Sequence, residues 1–293
     1  MNINSLSCRF LFIGVKIIVG KYSQSISKRF AHTKITNGYC LICGSYGRLS
    51  SDHVPPKGAI TVTKVEQRHI CEMMGTGSSK VKGVPSPNGS KFKTICHHCN
   101  NHHLGANDVE VAKVCNSLTN KINNYFQYAD SLYPVIDTDV DAVKFIRAMI
   151  GHILAATSVE ECKEEPQESP YFQPLKAFVL GNNDAIQDTH DIYYWFYPFN
   201  KHLSAKLVAF YNNGHIANVS LLSFFPIAFM VTNKNEGTYP THARQLHLSD
   251  NKLYLNLSSL GIEYAEFPFH ELKGNQMMAL TDFQTIVSYP IGQ

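Results

Sequence analysis

Two cysteine pairs of equal spacing constrain this chain more than any other feature. They are Cys40-Leu-Ile-Cys43 and Cys96-His-His-Cys99, with 52 residues between them. Two residues between thiolates let both sulfurs of a tight knuckle reach one tetrahedral ion, and two such knuckles close a four-cysteine zinc site. A disulfide framework is the rival reading, but 8 cysteines in 293 residues is far from the density of small secreted scaffolds. A redox CxxC would leave the second pair unexplained. Cys8, Cys71, Cys115 and Cys162 are scattered, and Cys115 falls on an apolar helical face as a small core residue.

Hydrophobic residues make up 44% of the chain and charged residues 17%, enough apolar content to bury a core. The length corresponds to about two domains at roughly 150 residues each. The apolar run Val219–Val231 contains Pro226 and is shorter than the about twenty residues a spanning helix needs, so no membrane role is expected. Charge is divided unevenly. Residues 1–105 carry 14 Lys and Arg against 3 acids, and residues 106–293 carry 12 against 20. A basic first part beside an acidic second part points to a polyanionic partner for the first.

The pattern divides the chain into three. Residues 1–35 are apolar, then basic and Ser-containing, with no acid before Asp52. They read as a basic N-terminal arm or a targeting segment; an organellar presequence fits better than a secretory signal, because Lys16 interrupts the apolar core. Reduced zinc thiolates favour a cytoplasmic location. Residues 36–128 begin as a Gly-, Pro-, His- and Cys-rich unit of hairpins and loops, with Gly75–Ser90 as a basic, flexible loop. The unit ends in a helix over 107–127, with Val111, Cys115, Leu118, Ile122 and Phe126 on its apolar face. Residues 139–293 open with a helix over 140–156, with Asp139 as N-cap and His152 as a core histidine. The acidic stretch Glu160–Glu168 reads as an exposed loop or linker. Strands follow at 192–197, 207–211, 219–225, 227–231 and 253–257, separated by turn signals. The expected class is α+β with a mostly antiparallel sheet.

Between the knuckles lies Ser51-Asp52-His53-Val54-Pro55-Pro56-Lys57, and Asn100-Asn101-His102-His103 follows the second knuckle. Hydrolysing a phosphodiester needs an activated water, a Lewis acid at the phosphate and stabilisation of the leaving oxygen. A neutral imidazole, with an ordinary pKa near 6.5, suits proton abstraction at neutral pH. On a strand, Asp52 and His53 point to opposite sides, so one can hold a cation while the other faces water. Asn100 offers a hard amide oxygen for Mg²⁺ or Mn²⁺. His103, three residues further on, shares its helical face and is a candidate extra ligand. His97, His98 and His69 are weaker candidates.

The order CxxC, Asp-His-Val-x-Pro, CxxC-Asn resembles the HNH endonucleases, the zinc-stapled branch of the ββα-metal nucleases, over about residues 38–105. The resemblance implies an N-terminal ββα-metal unit, a structural zinc on Cys40, Cys43, Cys96 and Cys99, and a catalytic cation on Asp52 and Asn100. It also implies His53 as general base and hydrolysis of DNA to 5′-phosphate and 3′-hydroxyl ends, with RNA as the other substrate class. One departure stands out: the Asn that members carry shortly before the second knuckle is here displaced upstream to Asn88. Lys57, Lys80, Lys82, Lys91 and Lys93 suit sequence-independent phosphate contacts. The C-terminal half carries no placeable motif, and a partner or oligomerisation role is expected of it. The competing expectation is a non-catalytic zinc-ribbon protein that binds nucleic acid with a vestigial Asp-His pair.

Overall fold

The computed structural model describes residues 35–59, 64–69, 83–86, 89–128, 133–212, 215–266, 268–269, 277–280 and 285–291. Lys80, Lys82, Asn88, Cys8, Cys71, the N-terminal arm and most of the Gly75–Ser90 loop therefore lie outside the described residues, as does the His69 side chain. Three helices of eight residues or more are present among those described, with sheets that are antiparallel throughout. None of these helices is long and apolar enough to cross a membrane.

The chain opens with a hairpin of β1 (Asn37–Tyr39) and β2 (Tyr46–His53), whose turn is the first knuckle. Gly44 closes that turn at φ 74°, a left-handed conformation suited to glycine, and its N–H donates to the Cys40 carbonyl at 2.8 Å. The segment between the knuckles then leaves this unit. Its strands β3 (Val65–His69) and β4 (Val84–Ser86) pair with each other and join the edge of the large C-terminal sheet. The chain returns as β5 (Lys91–Cys96), which pairs with β2 and runs into the second knuckle. A π-helical turn, Cys99–Leu104, leads directly into α1 (Gly105–Tyr128).

Val111, Cys115, Leu118 and Ile122 face the core as their spacing predicts, but Phe126 is 63% exposed, because α1 runs past the end of the structure it packs against. After β6 (Val135–Asp139) comes α2 (Ala142–Ala155), which is buried along almost its whole length. Its N-cap is Asp141, whose carboxylate accepts from the Lys144 N–H at 3.1 Å. The expected cap, Asp139, instead ends β6 opposite Lys252. The acidic stretch is only partly a solvated loop. Its first turn, Val159–Lys163, buries Cys162 against Leu41 and Leu49, and Glu161 pairs with the buried Lys206. The short helix α3 (Phe172–Val179) follows.

The rest of the chain builds a nine-stranded sheet from β7 (His190–Phe196), β8 (His202–Asn212), β9 (His215–Phe224), β10 (Ile227–Asn233), β11 (Arg244–Gln245), β13 (Met277–Leu280) and β14 (Thr285–Pro290), with β3 and β4 at its edge. A separate ribbon pairs β12 (Lys252–Asn256) with β6. Strand β10 shows why its sequence is apolar without a break. Ile227, Phe229 and Val231 enter the main core, while Ala228 and Met230 enter a second core on the opposite face with Tyr193, Trp195 and Val219. A strand covered on both faces loses the polar alternation of a half-exposed one.

The main apolar core runs without interruption from Cys40, Phe92 and Ile95 through α1 and α2 to Phe229 and Ile286. Helix α2 is its hub. Gly151 lies against Leu104 so closely that an added Cβ would stand 2.0 Å from Leu104 Cδ2. Leu104 is itself fully buried, so it has no free volume to retreat into. Gly151→Ala is expected to destabilise the protein by about 1–3 kcal/mol despite alanine's better helix propensity, as read from the denaturant midpoint. A midpoint equal to or above that of wild type would show that Leu104 repacks freely.

Candidate metal centre and histidine bridge

The first knuckle comes from the β1–β2 turn and the second from the junction of β5 with the helix. Pairing of β2 with β5 brings them together, with Leu49 opposite Cys96. The Sγ atoms of Cys40, Cys43, Cys96 and Cys99 all lie within 4.8 Å of one another. Cys43 Sγ and Cys96 Sγ are 3.8 Å apart. A tetrahedral ion with Zn–S bonds of about 2.3 Å requires sulfur–sulfur edges of about 3.8 Å, so the cluster has the size of a zinc site. Backbone groups support it: the Cys96 N–H donates to Cys40 Sγ at 3.3 Å and the Cys99 N–H to Cys96 Sγ at 3.4 Å. A hydrogen bond from Cys99 pulls the Cys40 thiol down to about 5, whereas the shared bond with Cys40 and burial push the Cys99 thiol up. Four thiols packed this closely do not ionise together without a cation among them, which is the electrostatic role a divalent metal fills. Among the described residues, this is the one group of His, Cys, Asp or Glu side chains that converges in this way.

Strand β2 carries the Asp-His pair away from this centre. Its pairing with β5 is irregular between Ser50 and Asp52, and such a bulge re-aims the side chains beyond it. Asp52 turns inward and is 4% exposed, while His53 is half-buried opposite Lys91. Directly opposed residues of an antiparallel pair project from the same face, so Lys91 and His53 are neighbours there. Asn100, at the start of the π-turn, donates from Nδ2 to Ser50 Oγ at 2.9 Å and to the Ser51 carbonyl at 3.1 Å. The carbonyl can only accept, which fixes the amide orientation and leaves Oδ1 as the atom not used in these bonds. Hairpin and helix are thereby locked together at the two residues just before Asp52.

Asp52 has a partner that its own segment does not reveal. His152, fully buried in α2, places Nδ1 2.9 Å from Asp52 Oδ2 and Nε2 2.8 Å from Asp108 Oδ1 at the start of α1. Burial acts against charge on this ring, but the two carboxylates and their hydrogen bonds outweigh it and push its pKa up to about 10. His152 is therefore an imidazolium at neutral pH, donating from both nitrogens. The reading of His152 as a satisfied core histidine agrees with its burial; its two partners come from residues 100 and 44 positions earlier in the chain. A polar ring on an otherwise apolar helix face signals that a partner must exist, but not which one.

The remaining candidates are dispersed around this centre. Lys57 is exposed in the short turn Lys57–Ala59, and Lys91 and Lys93 are half-buried on β5. His103 meets other histidines: its ring centroid is 5.2 Å from that of His98, which in turn is 4.7 Å from that of His102. Burial, with the charges of His98, His102 and Arg147, holds the His103 pKa below the ordinary imidazole value. His97 is bonded to Asn101.

Comparison with protein-family models, with curated proteins and with solved structures found no match to this chain.

Proposed function

We propose that the chain is an HNH-type endonuclease, a divalent-metal-dependent hydrolase of DNA phosphodiester bonds with a structural zinc. The observation that carries this reading is the lock between hairpin and helix. Asn100 is bonded to the carbonyl beside Asp52-His53, and the four-cysteine cluster fixes both elements. A hydrolytic site assembled from two distant segments needs this kind of rigidity.

In this reading the His53 imidazole takes the proton of the attacking water. Asp52 and Asn100 would hold an Mg²⁺ or Mn²⁺ ion through oxygen donors, and that ion would polarise the phosphate and stabilise the leaving oxygen. Asp52 would offer the oxygen that His152 does not take, and Asn100 would offer Oδ1. The bond from His152 Nδ1 to Asp52 Oδ2 fixes the rotamer of that carboxylate. Lys91, beside His53, and Lys57 and Lys93 contact the nucleic-acid backbone without reading sequence. The C-terminal sheet serves a partner or a second copy.

One observation favours a second reading. Asp52 is 4% exposed and already bonded to an imidazolium, as expected of a structural carboxylate. A non-catalytic zinc protein that binds nucleic acid would need no more from it. Plasmid nicking by zinc-loaded protein in Mg²⁺ and in Mn²⁺, beside His53→Ala, separates the two. The nuclease reading expects nicking in at least one metal and a loss of at least about 100-fold in His53→Ala with DNA binding retained. DNA binding without nicking in either metal would establish the second reading.

A further inference from the structure

The four cysteines are not equivalent. Cys40 and Cys99 lie inside the main core and are 0% exposed, whereas Cys43 and Cys96 are half-buried at its margin. We propose that Cys43 and Cys96 are a site of oxidative modification, at which a peroxide converts the two outer thiolates to a disulfide and releases the bound metal. The inference rests on the zinc part of the functional reading and not on the catalytic part.

Ligation and exposure together select these two sulfurs. A peroxide reacts with a thiolate that it can reach, and a zinc ligand is held as thiolate. Cys40 and Cys99 are closed to it. They are paired with each other in the interior, and Cys40 Sγ also accepts the Cys96 N–H at 3.3 Å. Cys43 and Cys96 keep access to solvent, one on the β1–β2 turn and one at the end of β5. The chemistry takes two steps. One outer thiolate attacks a peroxide oxygen; the O–O bond breaks, hydroxide leaves and the sulfur becomes a sulfenic acid. The other thiolate attacks that sulfur; the S–S bond forms and a second hydroxide leaves. Two thiolates and one hydrogen peroxide thus give one disulfide and two hydroxides, the peroxide taking the two electrons that sulfur loses. The second thiolate is already beside the first. The two Sγ atoms are 3.8 Å apart and come from different knuckles, 53 residues apart in the chain. They must close to about 2.0 Å. A bridge within either knuckle would need one of the core sulfurs instead. Once the outer pair is bridged, two thiols remain, half of the four ligands that a structural zinc takes. Cys162 takes no part, since it is fully buried and its thiol is directed to the Thr94 carbonyl.

The test is titration of hydrogen peroxide into full-length protein carrying one zinc per chain. Released zinc is read with a chromogenic chelator, and disulfides are mapped by mass spectrometry of peptides alkylated without reduction. The expected result is loss of the bound zinc in step with a Cys43–Cys96 bridge, while Cys40 and Cys99 are still alkylated as thiols. A dithiol reductant with added zinc should restore the site, and Cys162→Ser should respond as wild type does. Zinc loss with bridges inside the knuckles, or with sulfinic acids and no Cys43–Cys96 bridge, overturns the proposal. So does retention of zinc under peroxide that oxidises methionine in the same sample. A chain that takes up no zinc before peroxide is added overturns the zinc reading itself, and this inference with it.

Discussion

Replacing His152 with alanine will lower the unfolding free energy by roughly 3–5 kcal/mol, among the largest effects available to a single substitution here. The ring is an imidazolium held between two carboxylates, Asp52 Oδ2 at 2.9 Å and Asp108 Oδ1 at 2.8 Å. Removing it affects the two partners differently. The Asp108 side chain is 27% exposed and can recover its solvation from water. Asp52 is 4% exposed and cannot, so an unpaired carboxylate remains inside the core. The lost ring also leaves a cavity, because His152 is fully buried. Urea unfolding of His152→Ala measures the total, and a cycle with Asp52→Asn isolates the pair. In the Asp52→Asn background the His152→Ala cost should shrink, because the stranded charge is gone. An equal cost in both backgrounds would make the effect one of cavity alone.

Stripping the cysteine site of metal will unfold more than the small sheet that carries it. Structural zinc contributes an apparent binding free energy of about 10–16 kcal/mol, comparable with the whole stability of a domain at about 5–15 kcal/mol. Cys40 and Cys99 are themselves members of the main core, alongside Phe92, Ile95, Leu104 and the buried face of α2. Separating the knuckles therefore opens the surface against which α2 packs, and α2 is the hub shared with the large sheet. Trp195 provides the readout. It lies in the second core, on the far face of that sheet, with its indole N–H bonded to the Ala265 carbonyl at 2.7 Å. Chelation, or Cys99→Ser, should lower the helical circular-dichroism signal and shift the Trp195 emission to the red. A loss of helix with unchanged Trp195 emission would show that the sheet stands without the zinc unit.

Both outcomes depend on a feature that the chain order hides. The stretch between the knuckles reads as a loop-rich part of one local unit, yet β3 and β4 extend the sheet of the C-terminal half. Ser90 Oγ donates to Ser288 Oγ at 2.7 Å within the buried seam. Local composition shows that Val65–His69 can be a strand; it carries no information about which edge will accept it. Phe126 and Asp139 illustrate the same limit on a smaller scale. The helical spacing includes Phe126, but the core ends before it, and the local signal names Asp139 as the α2 cap, whereas the pairing of β6 with β12 takes Asp139 and Asp141 caps the helix.

What the sequence determined by itself is whatever depends on short spacing. The CxxC knuckles belong here, since two residues set the reach of two sulfurs. So do the 3.6-residue faces of α1 and α2, and the strands of the second half with their turns. Only the tertiary structure decided what depends on closing long loops. It converges the four sulfurs, turns Asp52 inward at the β2 bulge, and sets His152 between Asp52 and Asp108. The physical reason is that a buried charge must find its counter-charge wherever packing delivers one. Packing here is organised around α2, a buried helix in contact with α1, α3, the π-turn, β5, β8 and β9.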